Sequence, residues 1–247
     1  MANPKHPTAG LPERGPGEVT TVLLDVDGTL VDSNDAHALA WVRAFAEEGV
    51  EVPFDAVRRL IGMGGDKLMP RVSPFTDDSK EGKRVATKRQ EIFAREFLPR
   101  LQPFRDAGRL VAELKRRGLT AVAASSAKAE ELRPLLRIAE AEALLDGATS
   151  SSDADESKPS PDIIHAALEQ AHAEARNAVM IGDTPYDIQA ATAAGVRCIA
   201  FRCGGWGDKD LDRAIAIYDG PWELLARFDD SLLATSDPNG ASRKRRC

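Results

Sequence analysis

The stretch Thr20-Thr21-Val22-Leu23-Leu24-Asp25-Val26-Asp27-Gly28-Thr29 decides how the rest of the chain is read. Residues 20–24 form a β-branched and apolar run, as a buried strand does, and it breaks at once into Asp-Val-Asp-Gly, a turn composition. Asp25 and Asp27 lie two apart at the strand end, so their side chains leave the same side of the backbone. Gly28 lets the chain turn sharply behind them, and Thr29 brings a hydroxyl and a backbone N–H alongside. One carboxylate of such a pair can attack while its neighbour handles protons. Alone, the pair is equally well a loop cap, because aspartate is common wherever a turn begins.

Strand-like runs recur at 119–124, 178–181 and 196–201, with a weaker one at 214–218. Helical patterns alternate with them: 104–117 closes at Gly118, 161–172 opens after Ser160, and 187–194 closes at Gly195. That alternation predicts an α/β fold with a Rossmann-like, doubly wound parallel sheet. The exception is 33–100, which holds helical stretches at 35–48 and 80–98, a Gly-rich joint at 62–65 and no convincing strand. An insertion of roughly 70 residues is far longer than an ordinary connection and predicts a separate helical cap. The expected organisation is a catalytic core over 19–32 and 101–234, a helical cap over 33–100, and disordered tails over 1–18 and 235–247 on their Pro, Gly, Ser and charge content.

Hydrophobic residues make up 43% of the sequence and charged residues 29%, the usage of an ordinary globular chain large enough to bury a core. No run approaches the about 20 apolar residues of a membrane helix, and 1–18 has no apolar signal core, so the expected compartment is the cytoplasm with no membrane partner. The three cysteines, Cys198, Cys203 and Cys247, form no CxxC spacing and indicate neither a disulfide framework nor a zinc site. Net charge is −6 although Arg243, Lys244, Arg245 and Arg246 cluster near the end, and an acidic body disfavours nucleic acid as a partner. The assembly expected is a monomer or homodimer.

A second acidic pair strengthens the chemical reading. Asp183 follows the strand-like Val179-Met180-Ile181-Gly182, and Asp187 lies four residues on, one turn into a helix that starts there. Parallel sheets gather their strand C-termini, so the loops after residues 24, 124 and 181 should converge on one crevice. Four carboxylates there repel one another unless a hard cation such as Mg²⁺ accepts oxygens from several of them. Ser125 and Lys158 belong on the same rim and supply a hydroxyl and a cation for a dianion. Isolated, each is an ordinary turn hydroxyl or loop lysine; beside two acidic pairs they form a phosphate site.

Asp25-Val26-Asp27-Gly28-Thr29-Leu30 resembles the first motif of the haloacid dehalogenase superfamily, Ser125 its second, Lys158 its third, and Gly182-Asp183-Thr184-Pro185-Tyr186-Asp187 its fourth, all in family order. The resemblance spans about 20–227, and the placement of the insertion resembles the small helical cap of the phosphoglycolate phosphatase and β-phosphoglucomutase-like branch. It implies a phosphatase of small phosphorylated metabolites in which Asp25 attacks phosphorus and becomes an aspartyl-phosphate, and Asp27 serves as general acid and then base. It further implies that Mg²⁺ is held by Asp25, the Asp27 carbonyl, Asp183 and Asp187, the last through water, while Ser125 binds phosphoryl oxygens and Lys158 pairs with both Asp25 and the phosphate. Gly28, Thr29 and Ser126, with His37 and Lys67 from the insertion, are the expected substrate-side residues.

Within the superfamily, Asp27 argues against the dehalogenases and against phosphonate cleavage, whose first motifs lack an acid there. A β-phosphoglucomutase-like mutase is the nearest rival. Where those mutases carry an arginine for the distant phosphate, Gly62-Met63-Gly64-Gly65-Asp66-Lys67 offers glycines, with Lys67 or Arg71 the nearest substitutes. A phospho-acceptor signalling module lacks a counterpart of Asp27 and of the insertion. His165 and His172, seven apart, lack metal-pair spacing and are assigned to a helix surface. Phosphoglycolate, sugar phosphates and nucleotides all stay open as substrates.

Overall fold

The computed structural model describes residues 18–234, and in it the opening apolar run forms β1 (Thr21–Leu24) in the middle of a six-stranded sheet. β2 (Thr120–Ala124), β3 (Gly147–Thr149), β4 (Ala178–Gly182), β5 (Arg197–Phe201) and β6 (Ala216–Tyr218) complete the order β3-β2-β1-β4-β5-β6, with every pairing parallel. Alternate side chains of a strand face opposite sides of its sheet. Accordingly Val22, Leu24, Ala121, Ala123, Val179 and Ile181 enter one apolar cluster, while Leu23, Val122 and Met180 enter a second.

Between β1 and β2 the chain forms α1 (Asn34–Glu47), α2 (Phe54–Arg58), α3 (Gly65–Val72) and α4 (Lys80–Ile92), the last running on through a π-helical turn (Phe93–Phe97) and a 3-10 turn (Leu98–Arg100). α1 packs on α4 and α2, burying Ala38, Trp41 and Phe45 at helical spacing. Beyond these, α5 (Ala107–Arg116) and α9 (Pro221–Ala226) cover one face of the sheet through Leu110, Val111, Leu114 and Leu224. α7 (Asp162–Gln170) and α8 (Pro185–Ala193) cover the other through Ile163, Ile164, Ala167 and Ile188. α6 (Ala129–Ile138) follows β2. Both faces are thus buried, and the fold is the doubly wound α/β sheet expected.

The chain runs outward from β1 to β2 and β3, then returns to the far side of β1 as β4. That reversal opens a crevice beyond the C-terminal ends of β1 and β4, where Asp25 and Asp183 stand.

Five elements are absent from the sequence expectation: β3, α2, α3, α6 and the short α9. β3 is only Gly-Ala-Thr, too short to show a period, and is held by its ladder to β2 and by the Thr149 hydroxyl donating to the Ala123 carbonyl at 3.0 Å. α3 replaces part of the Gly-rich joint: Gly64 and Gly65 begin it and Pro70 lies inside, which hides a helix that buries Leu68 and Met69. α2 is a five-residue helix after Pro53 that buries Val57, and α6 carries Pro134 in its interior. The expectations for the tails, including Cys247 and the basic cluster at 243–246, fall on 1–17 and 235–247, outside the described residues. Among the described residues no helix is long and apolar enough to cross a membrane.

Candidate functional site

β1 and β4 end side by side and deliver their carboxylates to one point. Asp25, Asp183 and Asp187 each place an oxygen within 4.8 Å of the other two, and all three residues are buried. Asp187 is fixed by the first turn of α8: the Thr184 N–H and hydroxyl donate to its Oδ2 at 3.0 and 2.6 Å, and its own N–H donates to the Thr184 hydroxyl at 3.2 Å. The Thr29 hydroxyl lies 3.0 Å from Asp25 Oδ2 and 3.1 Å from Asp183 Oδ1, tying the two strand ends together. Asn34 Nδ2 donates to Asp183 Oδ2 at 2.8 Å.

Lys158 reaches this cluster fully buried. Its Nζ lies 2.6 Å from Asp25 Oδ1, 2.7 Å from Asp187 Oδ1 and 2.9 Å from the Ala124 carbonyl. Three acceptors match the three N–H bonds of an ammonium group. The expected pairing with Asp25 is present, whereas the N–H anticipated for phosphate is taken by protein atoms.

Crowding sets the electrostatics. Burial pushes Asp25 up to about 7, with Lys158 opposing and the Asp187 charge adding to the rise. Burial, then the charges of Asp25 and Asp187, lift Asp183 well above the ordinary carboxylate range. Burial disfavours the charge on Lys158, but Asp187 and Asp25 outweigh it and hold the amine above its usual value. Buried oxygens of excess negative charge are what a hard divalent cation binds, so the residues present fit Mg²⁺.

Asp27 stands apart from this trio, which makes the expected cluster of four carboxylates three plus one. Its Oδ1 accepts from the Ser33 hydroxyl and, at 2.7 Å, from His37 Nε2. Arg89 Nη2 lies 2.7 Å from His37 Nδ1. A guanidinium only donates, so Nδ1 accepts and the ring proton on Nε2 faces Asp27. The ring is steadied by stacking on Phe93, with 4.0 Å between centroids. Burial alone would raise the Asp27 carboxyl, but His37, Ser33 and the Arg89 charge together hold it below its ordinary value. Adjacent carboxylates therefore differ: Asp25 is proton-hungry and Asp27 is held as the anion.

A cavity of about 540 Å³ opens onto these groups and is lined by Asp25, Asp27, His37, Ser125 and Ser126 among the expected residues. Ser125 is buried, and its Oγ accepts from the Ala127 N–H at 3.0 Å, which leaves the hydroxyl proton for a ligand. Gly28, Thr29 and Lys67 lie outside the lining. Thr29 is turned onto the carboxylates, and Lys67 Nζ pairs with Glu156 at 2.7 Å. His165 and His172 are exposed, as expected. The sequence reading missed Ser33, Asn34, Arg89 and Glu131. Ser33 and Asn34 follow the first motif directly, and their proximity to it was an available signal; Arg89 and Glu131 sit in charged helical stretches that look solvated.

Gly28 makes a tight turn in this arrangement. Its φ is +78°, and a Cβ there would stand 2.1 Å from Asn34 Nδ2 and 2.4 Å from Asp183 Oδ2. Gly28→Ala is expected to lower the melting temperature by about 5 °C or more, since both the left-handed backbone and the overlap disfavour the side chain. A thermal melt within 1–2 °C of the native chain would show that this turn relaxes freely.

Comparison with known proteins gives a consistent picture. Residues 22–201 match the family model described as haloacid dehalogenase-like hydrolase. The phosphoglycolate phosphatase of Yersinia pestis is 30% identical over 222 residues, covering 88% of this chain and 94% of that protein. Protein CbbY of Cereibacter sphaeroides is 29% identical over 195 residues, covering 73% of this chain and 83% of CbbY. Among solved structures, a hydrolase from Pseudomonas syringae superposes with a TM-score of 0.80 at 25% identity, covering 85% of this chain and 98% of that one.

Proposed function

The chain belongs to the haloacid dehalogenase-like hydrolases and is a phosphatase of that family, and from this premise we propose that it hydrolyses a small phosphomonoester, with Mg²⁺, through an aspartyl-phosphate on Asp25. One observation carries the reading: Asp25 lines a cavity, held by Lys158 and Thr29, with a second carboxylate, Asp27, in the same lining.

Asp25 attacks phosphorus as the bond to the ester oxygen breaks, and Asp27 gives its proton to the departing alcohol. Both described contacts of Asp27 fall on Oδ1, which leaves Oδ2 for the ester. At rest Asp27 is held as the anion; a phosphate dianion brought in beside it raises its proton affinity, the direction the first step needs. Once the alcohol has left, Asp27 removes a proton from the water that attacks phosphorus, and the anionic form set by His37 and Ser33 suits that half. Lys158 keeps Asp25 aimed and offsets its charge, while the Ser125 hydroxyl donates to a phosphoryl oxygen. Asp25, Asp183 and Asp187 would hold Mg²⁺, which supplies charge neutralisation of the phosphoryl group when bound. In this reading the helices over 33–100 act as a cap that supplies His37 and Arg89 to the acid.

The test is phosphate release from a panel of small phosphomonoesters with and without Mg²⁺, paired with thermal melts from pH 5.5 to 8. Without metal, the raised Asp25 and Asp183 mean that the folded state binds more protons than the unfolded one above about pH 4, so stability falls as pH rises toward and through about 7. Mg²⁺ removes that loss, and its stabilising shift is expected to be larger at pH 8 than at pH 5.5. Absence of any release, or isomerisation of a hexose 1-phosphate in its place, would overturn the hydrolase reading. A Mg²⁺ shift independent of pH would overturn the metal assignment.

A further inference from the structure

Near the reaction centre the cavity lining holds polar atoms that the mechanism leaves unused. Glu131, in the first turn of α6, lines the cavity and is 4% exposed. Its Oε1 is paired with Arg89 Nη1 from α4, while its Oε2 is buried without a hydrogen-bond partner. Two neighbours in the lining repeat the pattern: Ser126 Oγ and Arg89 Nε are also buried and unpartnered. Native chains rarely leave such atoms unpaired, and three in the lining of one cavity mark where a ligand supplies the missing bonds.

The types of these atoms define the ligand. A carboxylate oxygen only accepts, so Oε2 asks for a hydroxyl proton; Ser126 gives or takes one, and Arg89 Nε gives one. The Arg89 head is already committed, with Nη1 on Glu131 and Nη2 on His37. A carboxylate or second phosphate on the substrate would therefore meet a buried anion with no uncommitted guanidinium edge beyond Nε to offset it. Elsewhere in the lining the exposed charges balance, Lys83 and Lys128 against Asp77 and Asp155.

We propose that Glu131 is a specificity-determining residue whose Oε2 accepts a hydroxyl of the leaving alcohol, so that the enzyme prefers phosphate esters of uncharged, polyhydroxylated alcohols to esters of carboxylated or alkyl alcohols. The inference rests on the phosphatase reading above and narrows its substrate class. It sets this chain apart from what the name of its phosphoglycolate phosphatase relatives states for them.

The experiment compares kcat/KM for glycerol 1-phosphate, propyl phosphate and phosphoglycolate, with Mg²⁺, for the full native chain, Glu131→Gln and Glu131→Ala; p-nitrophenyl phosphate reports whether the chain is a phosphatase at all. The native chain is expected to favour glycerol 1-phosphate over each of the other two by about tenfold or more. In Glu131→Ala the ratio of glycerol to propyl ester should collapse toward unity, whatever happens to the absolute rates. Glu131→Gln, which keeps the size of the side chain, should raise phosphoglycolate relative to glycerol 1-phosphate. A residue that merely braces Arg89 would lower all esters alike and leave both ratios unchanged, which overturns the proposal, as does a native preference for phosphoglycolate. Turnover of p-nitrophenyl phosphate with flat ratios fails this inference alone; no turnover of any ester by the native chain fails the phosphatase reading and this inference with it.

Discussion

Asp25→Asn is expected to cut phosphate release from every ester by at least about 10⁴-fold while costing the metal-free protein no stability at pH 8. The size of the loss follows from the proposed role: removing a covalent nucleophile removes the whole two-step route and leaves only the residual help of binding and orientation. The stability half follows from crowding. Burial and the neighbouring Asp187 push Asp25 up to about 7, so at pH 8 its ionised form is held against its surroundings. An amide of the same shape relieves that repulsion, and Lys158 keeps Asp187 and the Ala124 carbonyl as partners. The two readouts are a phosphate assay and a melt. A loss below about tenfold would place the nucleophile elsewhere.

The second large effect is expected at Lys158. Lys158→Met keeps the length of the side chain and removes the charge, leaving Asp25 and Asp187 buried without a cation of the protein's own. Breaking a buried ion pair by deleting one partner costs about 3–5 kcal/mol. For a domain of this size that is a fall in melting temperature of about 10 °C, together with a loss of activity of about 10³-fold or more. Mg²⁺ should recover part of the lost melting temperature, since a divalent ion beside the same carboxylates supplies the missing positive charge, and the recovery should grow with pH as those carboxylates ionise. An unchanged melt would mean that the lysine is not the counter-ion its contacts describe.

Much of the proposed catalytic half of the site was legible in the sequence because most of its residues, Lys158 excepted, lie at or just after a strand end. Asp25, Ser125 and Asp183 directly succeed apolar runs, and a parallel sheet carries all such ends to one edge, so their convergence followed from topology without knowledge of any side-chain contact. Asp187 followed from helical spacing. The rest depends on how helices over 33–100 lie against the core, and local pattern does not encode that. Arg89 belongs to Lys83-Arg84-Val85-Ala86-Thr87-Lys88-Arg89-Gln90, which reads as a solvated face. Only the packing of α4 on α1 and its reach to the start of α6 turn that arginine onto His37 and Glu131. Glu131 is disguised in the same way by Ala129-Glu130-Glu131-Leu132-Arg133, where its neighbour Glu130 is exposed and Glu131 is not. Thr29 was placed correctly in the chain but expected to face substrate; the meeting of β1 and β4 makes its hydroxyl a tie between two carboxylates.

The hydrogen bond from His37 to Asp27 joins the inserted helices to the core at the residue proposed to handle protons, while Asp25 takes its bearings from Lys158, Thr29 and the sheet. Considered as an inheritance, this is an uneven division. On the proposed roles, a lineage that acquires a new substrate by rebuilding its inserted helices can do so without disturbing the nucleophile, yet a revision that moves His37 also re-aims the acid. Drift in specificity and loss of rate are therefore inseparable at His37 and its Arg89 support, whereas at Asp25 they are independent.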